Sequence, residues 1–196
     1  MPAAVRRKVA GDTPAATAAF TLIELLVVIA IIIVLAGLIL STVGYVQKKG
    51  ARSRAETEIA AMSAACESYK ADNGIYPRDN TTNQYTDTLD ARQNFDATQT
   101  VYQNASLYLY DALFGATSGS RTPNPGARSY FTFKPNQLSP SDQAQPVAFI
   151  RDPFGNSYGY STANQADPIT PKGYNPTFDL WSTANSTDPN QWIKNW

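Results

Sequence analysis

The chain has 196 residues, with 16 basic and 16 acidic side chains and no histidine. Zero net charge argues against a nucleic-acid partner recognised through bulk positive charge. Without histidine the chain lacks the commonest general base, and histidine-ligated zinc is excluded. The single cysteine, Cys66, excludes an intrachain disulfide, and we interpret it as a small apolar residue on a helix face.

The first region is a polar leader over residues 1–19, which carries Arg6, Arg7 and Lys8. Residues 20–46 follow as an almost continuous run of Leu, Ile, Val and Ala whose only charge is Glu24. At about 1.5 Å per residue, a helix of this length crosses a hydrocarbon core of about 30 Å. The pattern therefore predicts a transmembrane helix over residues 20–46.

Residues 47–74 predict an amphipathic continuation of the same helix. Apolar residues three or four positions apart share one face: Ala51, Ala55, Ile59, Met62, Cys66 and Tyr69. The charged residues lie mainly off that face: Lys48, Lys49, Arg52, Arg54, Glu56, Glu58 and Lys70. Asn73 and Gly74 both tolerate a left-handed conformation and predict the end of the helix. The first half of this helix needs lipid or partner helices, and the second half needs a domain to pack on.

Residues 75–196 predict a water-facing globular domain. A short helix is expected over residues 105–114, and strands over residues 129–133, 147–150, 157–160 and 177–181. The run from Asp152 to Asn156 has the composition of a turn between two of these strands. The predicted fold class is α+β, with a long transmembrane and amphipathic helix packed on a small antiparallel sheet.

The order of leader and apolar segment is unusual, because a secretory signal peptide places its apolar stretch before the cleavage site. The residues from Ala19 to Leu26, Ala-Phe-Thr-Leu-Ile-Glu-Leu-Leu, resemble the prepilin processing site of type IV pilins and type II secretion pseudopilins. The resemblance implies cleavage between Ala19 and Phe20 by a prepilin peptidase, followed by N-methylation of Phe20. The family usually has Gly before the cut, and Ala19 is also small.

Glu24 is the lone acid of the apolar helix, and a carboxylate buried there without a partner costs several kcal/mol. Cleavage creates an amine on Phe20, and the resemblance implies that this amine pairs with Glu24 of a neighbouring subunit. The alternative is that Glu24 pairs locally or reaches the water interface.

The orientation in the membrane is not decided by charge, because the basic residues at 48–54 nearly balance those of the leader in the positive-inside count. The resemblance implies cleavage on the cytoplasmic side, and so we expect the leader in the cytoplasm and the domain in the periplasm.

Three C-terminal segments resemble the major pseudopilin of type II secretion, which implies a pilin-like fold. They are residues 72–77, Asp-Asn-Gly-Ile-Tyr-Pro, residues 151–160, Arg-Asp-Pro-Phe-Gly-Asn-Ser-Tyr-Gly-Tyr, and residues 178–182, Phe-Asp-Leu-Trp-Ser. In that family the loop after the third segment binds calcium. Asn185 and Asp188 occupy the corresponding stretch, and the alternative is a loop held by ordinary hydrogen bonds.

The terminal Trp192 and Trp196 either pin the tail to the core or form a subunit contact.

The leading function is structural, namely the subunit of a type II secretion pseudopilus. The implied partners are further copies of the chain, a prepilin peptidase and an inner-membrane assembly platform, with no nucleic acid. The alternatives are a type IV pilin, a surface binding module that uses residues 80–145, and a membrane-anchored enzyme. Type IV pilins often close a C-terminal loop with two cysteines, which this chain cannot do. An enzyme is disfavoured because no acidic pair has a recognisable catalytic spacing.

Overall fold

The computed structural model describes residues 20–79, 85–170 and 172–196. The chain divides into two compact units, Met1–Gly44 and Tyr45–Trp196. Helix α1 (Leu22–Asn73) contributes residues to both units. In the first unit, every residue whose burial is described is exposed. An apolar stretch of 18 residues in α1, none of them buried, is long enough to cross a membrane.

Helix α1 ends where the sequence predicts. Gly74 has a φ of 79°, in the left-handed region, and its N–H donates to the Lys70 carbonyl oxygen at 2.7 Å. A residue without a Cβ adopts this conformation without steric cost, so the helix stops directly after Asn73.

In its described residues, the second unit adds two further α-helices and two small antiparallel sheets. The helices are α2 (Thr100–Phe114) and α3 (Ala163–Ala166). The strands are β1 (Leu138–Ser139), β2 (Phe149–Ile150), β3 (Gly159–Ser161), β4 (Asp179–Ser182) and β5 (Ile193–Lys194). Strands β1 and β2 pair with each other, and the second sheet has the order β3-β4-β5. These elements confirm an α+β architecture with a long apolar helix and small antiparallel sheets.

The predicted elements differ from the observed ones mainly in length. The helix predicted over residues 105–114 is α2, which begins five residues earlier at Thr100. The strands predicted over 147–150, 157–160 and 177–181 correspond to β2, β3 and β4, each shifted towards the C-terminus or shortened. The missed strands β1 and β5 are two residues long, which is too short to produce an alternating pattern.

The strand predicted over residues 129–133 is wrong. The N–H groups of Tyr130 and Phe131 both donate to the carbonyl oxygen of Leu113, at 2.7 and 3.1 Å. This segment therefore satisfies the open end of α2, and it pairs with none of the strands in the part of the chain that the structure describes. Its aromatic residues pack into the core, since the Phe133 ring lies 5.2 Å from the ring of Tyr110.

One core joins the amphipathic half of α1 to α2 and the strands. Four residues of the predicted apolar face belong to it, namely Ala55, Ile59, Met62 and Cys66, and Tyr69 packs at its edge. The core also contains Ala65, which the pattern does not predict, whereas the predicted Ala51 is only half-buried and lies outside it. Cys66 is fully buried, which confirms its interpretation as an apolar packing residue, and burial raises the pKa of its thiol.

Glu58 departs from the predicted face. Its residue is only 9% exposed, and Oε2 accepts a hydrogen bond from the Tyr158 hydroxyl at 2.8 Å. Oε1 accepts from Arg54 Nε at 2.8 Å. The carboxylate is tolerated at this depth because both of its oxygens have donors.

A second cluster fixes the C-terminal tail. The Trp192 side chain is buried and stacks on Trp181 with ring centroids 5.9 Å apart. Trp196 meets the same Trp181 ring edge-on at 5.8 Å. Of the two alternatives for these tryptophans, the structure shows the one in which they pack the tail against the core. Gly159 of β3 leaves room for the Trp181 ring on which the tail packs, because a Cβ at residue 159 would lie 2.3 Å from that ring.

Candidate functional site

The apolar half of α1 carries a single acid within its first turn. Glu24 Oε2 accepts hydrogen bonds from Thr21 N at 2.8 Å and from Thr21 Oγ1 at 2.7 Å. In return, Glu24 N donates to Thr21 Oγ1 at 3.3 Å. This reciprocal pattern is a capping box, which satisfies donors that the first helical turn leaves open. The spacing of Thr21 and Glu24 explains why the helix begins at Leu22.

The capping box uses only one oxygen of the Glu24 carboxylate. Oε1 accepts no hydrogen bond from the described part of the chain, and Glu24 is exposed. The carboxylate can therefore cap its own helix and still accept a bond from a donor outside the chain. Phe20 precedes the helix with 84% of its surface exposed. The predicted cleavage partner Ala19 lies outside the described residues.

The second candidate is the loop that contains Asn185 and Asp188. Ala184 and Asn185 both have positive φ, 50° and 61°, and the Asn185 Oδ1 atom accepts a hydrogen bond from Asn156 Nδ2. Asp188 Oδ1 accepts from the N–H and side-chain amide of Asn190, each at 2.9 Å. Trp192 Nε1 donates to the Ser186 carbonyl oxygen at 2.8 Å. Three residues of this loop, Asn185, Ser186 and Asp188, thus each accept a hydrogen bond from the protein.

This donor set does not fit calcium well. Ca²⁺ prefers six to eight oxygens with several carboxylates among them. Asp188 is the one acid of the loop, and its Oδ1 atom already caps the 3-10 helix Pro189–Gln191. Across residues 20–79, 85–170 and 172–196, no group of three or more metal-ligating side chains comes together. The geometry favours the hydrogen-bonded alternative, and we derive no role for a cation.

Asp152 connects two of the segments that the sequence singled out. Its Oδ1 atom accepts from the N–H groups of Phe154 and Asn156, at 3.0 and 2.8 Å. Its Oδ2 atom accepts from the Ser182 hydroxyl. The turn after β2 is thereby bound to the end of β4. Sequence reasoning identified the turn but missed its long-range partner, because nothing in a turn signature names what lies beyond the turn.

The first segment meets the other two in the core. Tyr76 packs its ring 5.0 Å from Phe178, and the Tyr160 hydroxyl donates to the Pro77 carbonyl oxygen at 2.7 Å. The three segments, which are far apart in sequence, therefore form one contiguous structure. Sequence alone pointed to each of them separately.

No family model matches this chain, and neither a curated protein nor a solved structure matches it.

Proposed function

We propose that the chain is a structural subunit of a type II secretion pseudopilus, which supports protein export across the outer membrane. The observation that carries the proposal is a folded domain continuous with a helix whose apolar residues are exposed on every side. The apolar half of this helix is exposed at every residue whose burial is described. Lipid can cover it in the membrane, and helices of further copies can cover it in a fibre.

The capping box at Glu24 supports selective assembly. One oxygen of the carboxylate is bound to Thr21, and the other is open to a donor from outside the described chain. In an apolar bundle an unpaired carboxylate is costly, so a positive partner from a neighbouring copy lowers the free energy of association. Cleavage between Ala19 and Phe20 supplies that partner as an N-methylated amine. The capping box holds the acid at a fixed position to receive it.

The core of the second unit supports the proposal that the chain is a pseudopilin. The three segments with pseudopilin character, residues 72–77, 151–160 and 178–182, meet around Tyr76, Tyr160 and Phe178. A set of motifs that forms one packed structure is stronger support than the same motifs scattered over a surface. A type IV pilin remains the alternative, since both assemblies use the same helix.

The apolar half of α1 supports a location in a membrane, and the resemblance to the prepilin processing site implies the topology. The precursor is a single-pass protein of the inner membrane with its leader in the cytoplasm and residues 75–196 in the periplasm. A prepilin peptidase removes the leader, and an assembly platform in the inner membrane extracts the mature subunit. The pseudopilus then forms in the periplasm from copies of this chain.

Mass spectrometry of the mature protein tests the processing step. We expect a chain that begins at Phe20 and carries one methyl group on its amine. An intact leader, or a cut beyond residue 46, would contradict the proposal.

Substitution of the lone acid tests assembly. We expect Glu24→Ala to abolish fibre formation and export, because the neighbouring amine loses its partner. The matched control is Glu56→Ala, which removes an exposed acid from the same helix outside the apolar half. Fibres that form equally well in the two variants would sink the assembly role of Glu24. If the wild type forms fibres on the cell surface and Glu24→Ala causes no secretion defect, the type IV pilin would be favoured.

A further inference from the structure

A block of positive charge follows the apolar half of α1. Between residues 25 and 55 the chain carries four charged side chains, and all of them are basic: Lys48, Lys49, Arg52 and Arg54. The next acid is Glu56. The first of these cations lies two residues beyond Val46, the last residue of the apolar run.

Two of the four cations already have partners within the chain. Arg52 Nη1 donates to the Gln191 carbonyl oxygen at 2.7 Å, and Arg54 Nε pairs with Glu58 Oε1 at 2.8 Å. Lys48 and Lys49 are exposed. Within the described residues, neither ammonium group has a hydrogen bond, an ion pair or a ring contact. Arg52 keeps its positive charge, because a carbonyl oxygen is neutral, but its guanidinium is already engaged. The cations of this block that have no partner in the described chain are therefore Lys48 and Lys49.

Tyr45 lies on the same helix face as both lysines, three and four residues before them. It is 71% exposed, and no ring contact involves it in the described part of the structure. Tyrosine and lysine are the residues that anchor helices at membrane surfaces. The tyrosine ring tolerates the boundary between lipid and water, and the lysine stem lies along apolar surface while its ammonium reaches the phosphates.

We propose that Tyr45, Lys48 and Lys49 form an interfacial anchor that binds the headgroups of anionic phospholipids. At about 1.5 Å per residue, both ammonium-bearing residues lie within about 5 Å of the apolar end along the helix axis, which is headgroup depth. Each ammonium group offers three donors to phosphate oxygens. The inference rests on the membrane-spanning helix that the proposed function also uses, and it does not rest on fibre formation.

Lipid fits this face better than a second copy of the chain. In a parallel copy at the same depth in the membrane, the residues beside Lys48 and Lys49 are the same two lysines, and like charges repel. In a bilayer that contains anionic lipids, their headgroups surround every isolated subunit at this depth. They attract each nearby lysine through an interaction that falls off within a Debye length.

The test uses the full chain reconstituted in phosphatidylcholine bilayers, with traces of spin-labelled phosphatidylglycerol or spin-labelled phosphatidylcholine. Electron paramagnetic resonance measures the fraction of each lipid immobilised by the protein. We expect a severalfold preference for phosphatidylglycerol that weakens with added salt. Lys48→Gln with Lys49→Gln should reduce the relative affinity by at least about fivefold, the effect of one engaged lysine.

The matched control is Lys134→Gln with Lys172→Gln, which removes the same charge from two exposed lysines elsewhere in the second unit. This control should keep the preference. The inference is overturned if the wild-type protein shows no preference for phosphatidylglycerol. It is also overturned if the variant with Lys48→Gln and Lys49→Gln keeps that preference. Weaker self-association of that variant with unchanged lipid preference also overturns it and assigns the lysines to a second copy. Glu24→Ala should lose fibres yet keep the lipid preference, which separates failure of this inference from failure of the proposed function.

Discussion

Helix α1 carries apolar residues in both of its halves, but the two halves cover them differently. In the half that belongs to the second unit, apolar residues recur on one face, and Ala55, Ile59 and Met62 are buried by the chain itself. In the half before Tyr45, apolar residues surround the helix, and Leu35 remains 53% exposed. A stripe can be buried by one domain, whereas a helix that is apolar all round needs neighbours on every side. The periodicity of apolar residues therefore distinguishes the half of α1 that the domain buries from the half that stays exposed.

The largest expected effect compares truncation of one apolar side chain in each half. Met62 is fully buried, so Met62→Ala should lower the free energy of unfolding by about 2–5 kcal/mol through lost burial and a cavity. Leu35→Ala should change it by less than about 0.5 kcal/mol, because its side chain is largely exposed and belongs to the first unit. Urea unfolding of the full chain in detergent measures both values.

The readout for this comparison is specific to the second unit. All three tryptophans lie at or after position 181, so their fluorescence reports only the unfolding of residues 45–196. Equal losses in the two variants would mean that the apolar half contributes to the stability of the domain. That result would remove the distinction between the halves.

Asp152 provides the next effect, within the folded unit. It is 2% exposed and accepts bonds from two backbone N–H groups and the Ser182 hydroxyl. Asp152→Ala should cost about 2–3 kcal/mol because buried donors lose their acceptor. Asp152→Asn keeps a carbonyl oxygen at the site and should cost about 1 kcal/mol. Urea unfolding at pH 7 gives the two values, and a larger loss for Asn than for Ala would contradict the role of the acceptor.

The same position predicts a pH dependence. Burial raises the pKa of Asp152 above its usual value of 3.8. The folded state therefore binds the proton of Asp152 more tightly than the unfolded state does. This tighter binding adds to the free energy of unfolding below the unfolded pKa, and the contribution is lost as pH rises through the folded pKa. The wild type should gain stability relative to Asp152→Asn when the pH falls from 7 to about 4. A gap between the two proteins that shrinks on acidification would contradict the direction of the shift.

Substitution of Tyr158 tests how Glu58 is held, the acid that the helical pattern predicts to lie off the buried face but that is buried in the structure. Tyr158→Phe removes the hydroxyl that donates to Glu58 Oε2 at 2.8 Å, and the loss of a bond to a charged group should cost about 1.5–2 kcal/mol. The control is Tyr174→Phe, since Tyr174 is 41% exposed, and its effect should stay within about 0.5 kcal/mol. If both changes were neutral in urea unfolding, the Arg54 pair alone would suffice to hold Glu58.

The sequence predicts well where local chemistry decides and poorly where distant partners decide. The end of α1 at Asn73 follows from Gly74. The spacing of Thr21 and Glu24 is an equally local signal for the capped start of α1, although it is not among the sequence predictions. The burial of Glu58 depends on Tyr158, which lies 100 residues away. The segment at Tyr130 has the composition of a strand, but its N–H groups bond the end of α2. Long-range pairing of this kind leaves no periodic signal in a single sequence.

The loop around Asn185 shows the same limit at a candidate site. The sequence places Asn185 and Asp188 where a cation site is expected from resemblance, but it does not reveal that Asn156 bonds Asn185. The partner follows from the turn at Asp152, which carries Asn156 to that loop. A local motif therefore identified the loop, and only the fold identified what holds it.

The smallest expected effect compares two glycines of the second unit. Gly74 has positive φ, and a Cβ there would meet nothing within 4 Å, so Gly74→Ala tests backbone strain without a clash. We expect a loss of about 1 kcal/mol, because alanine is strained in the left-handed region. Gly50 lies inside α1, is exposed and also has open space where an added Cβ would lie. Gly50→Ala should instead raise the free energy of unfolding by about 0.5–1 kcal/mol, because alanine favours the helix.

Opposite signs for one chemical change would show that the end of α1 is set by backbone conformation and its interior by helix propensity. Urea unfolding followed by tryptophan fluorescence resolves the difference, since the two variants are expected about 1.5–2 kcal/mol apart. A gain in both variants would mean that α1 can extend past Asn73 at no cost. A loss in both would mean that residue 50 is not held in a helix in solution, and the continuity between the two halves of α1 would then be broken.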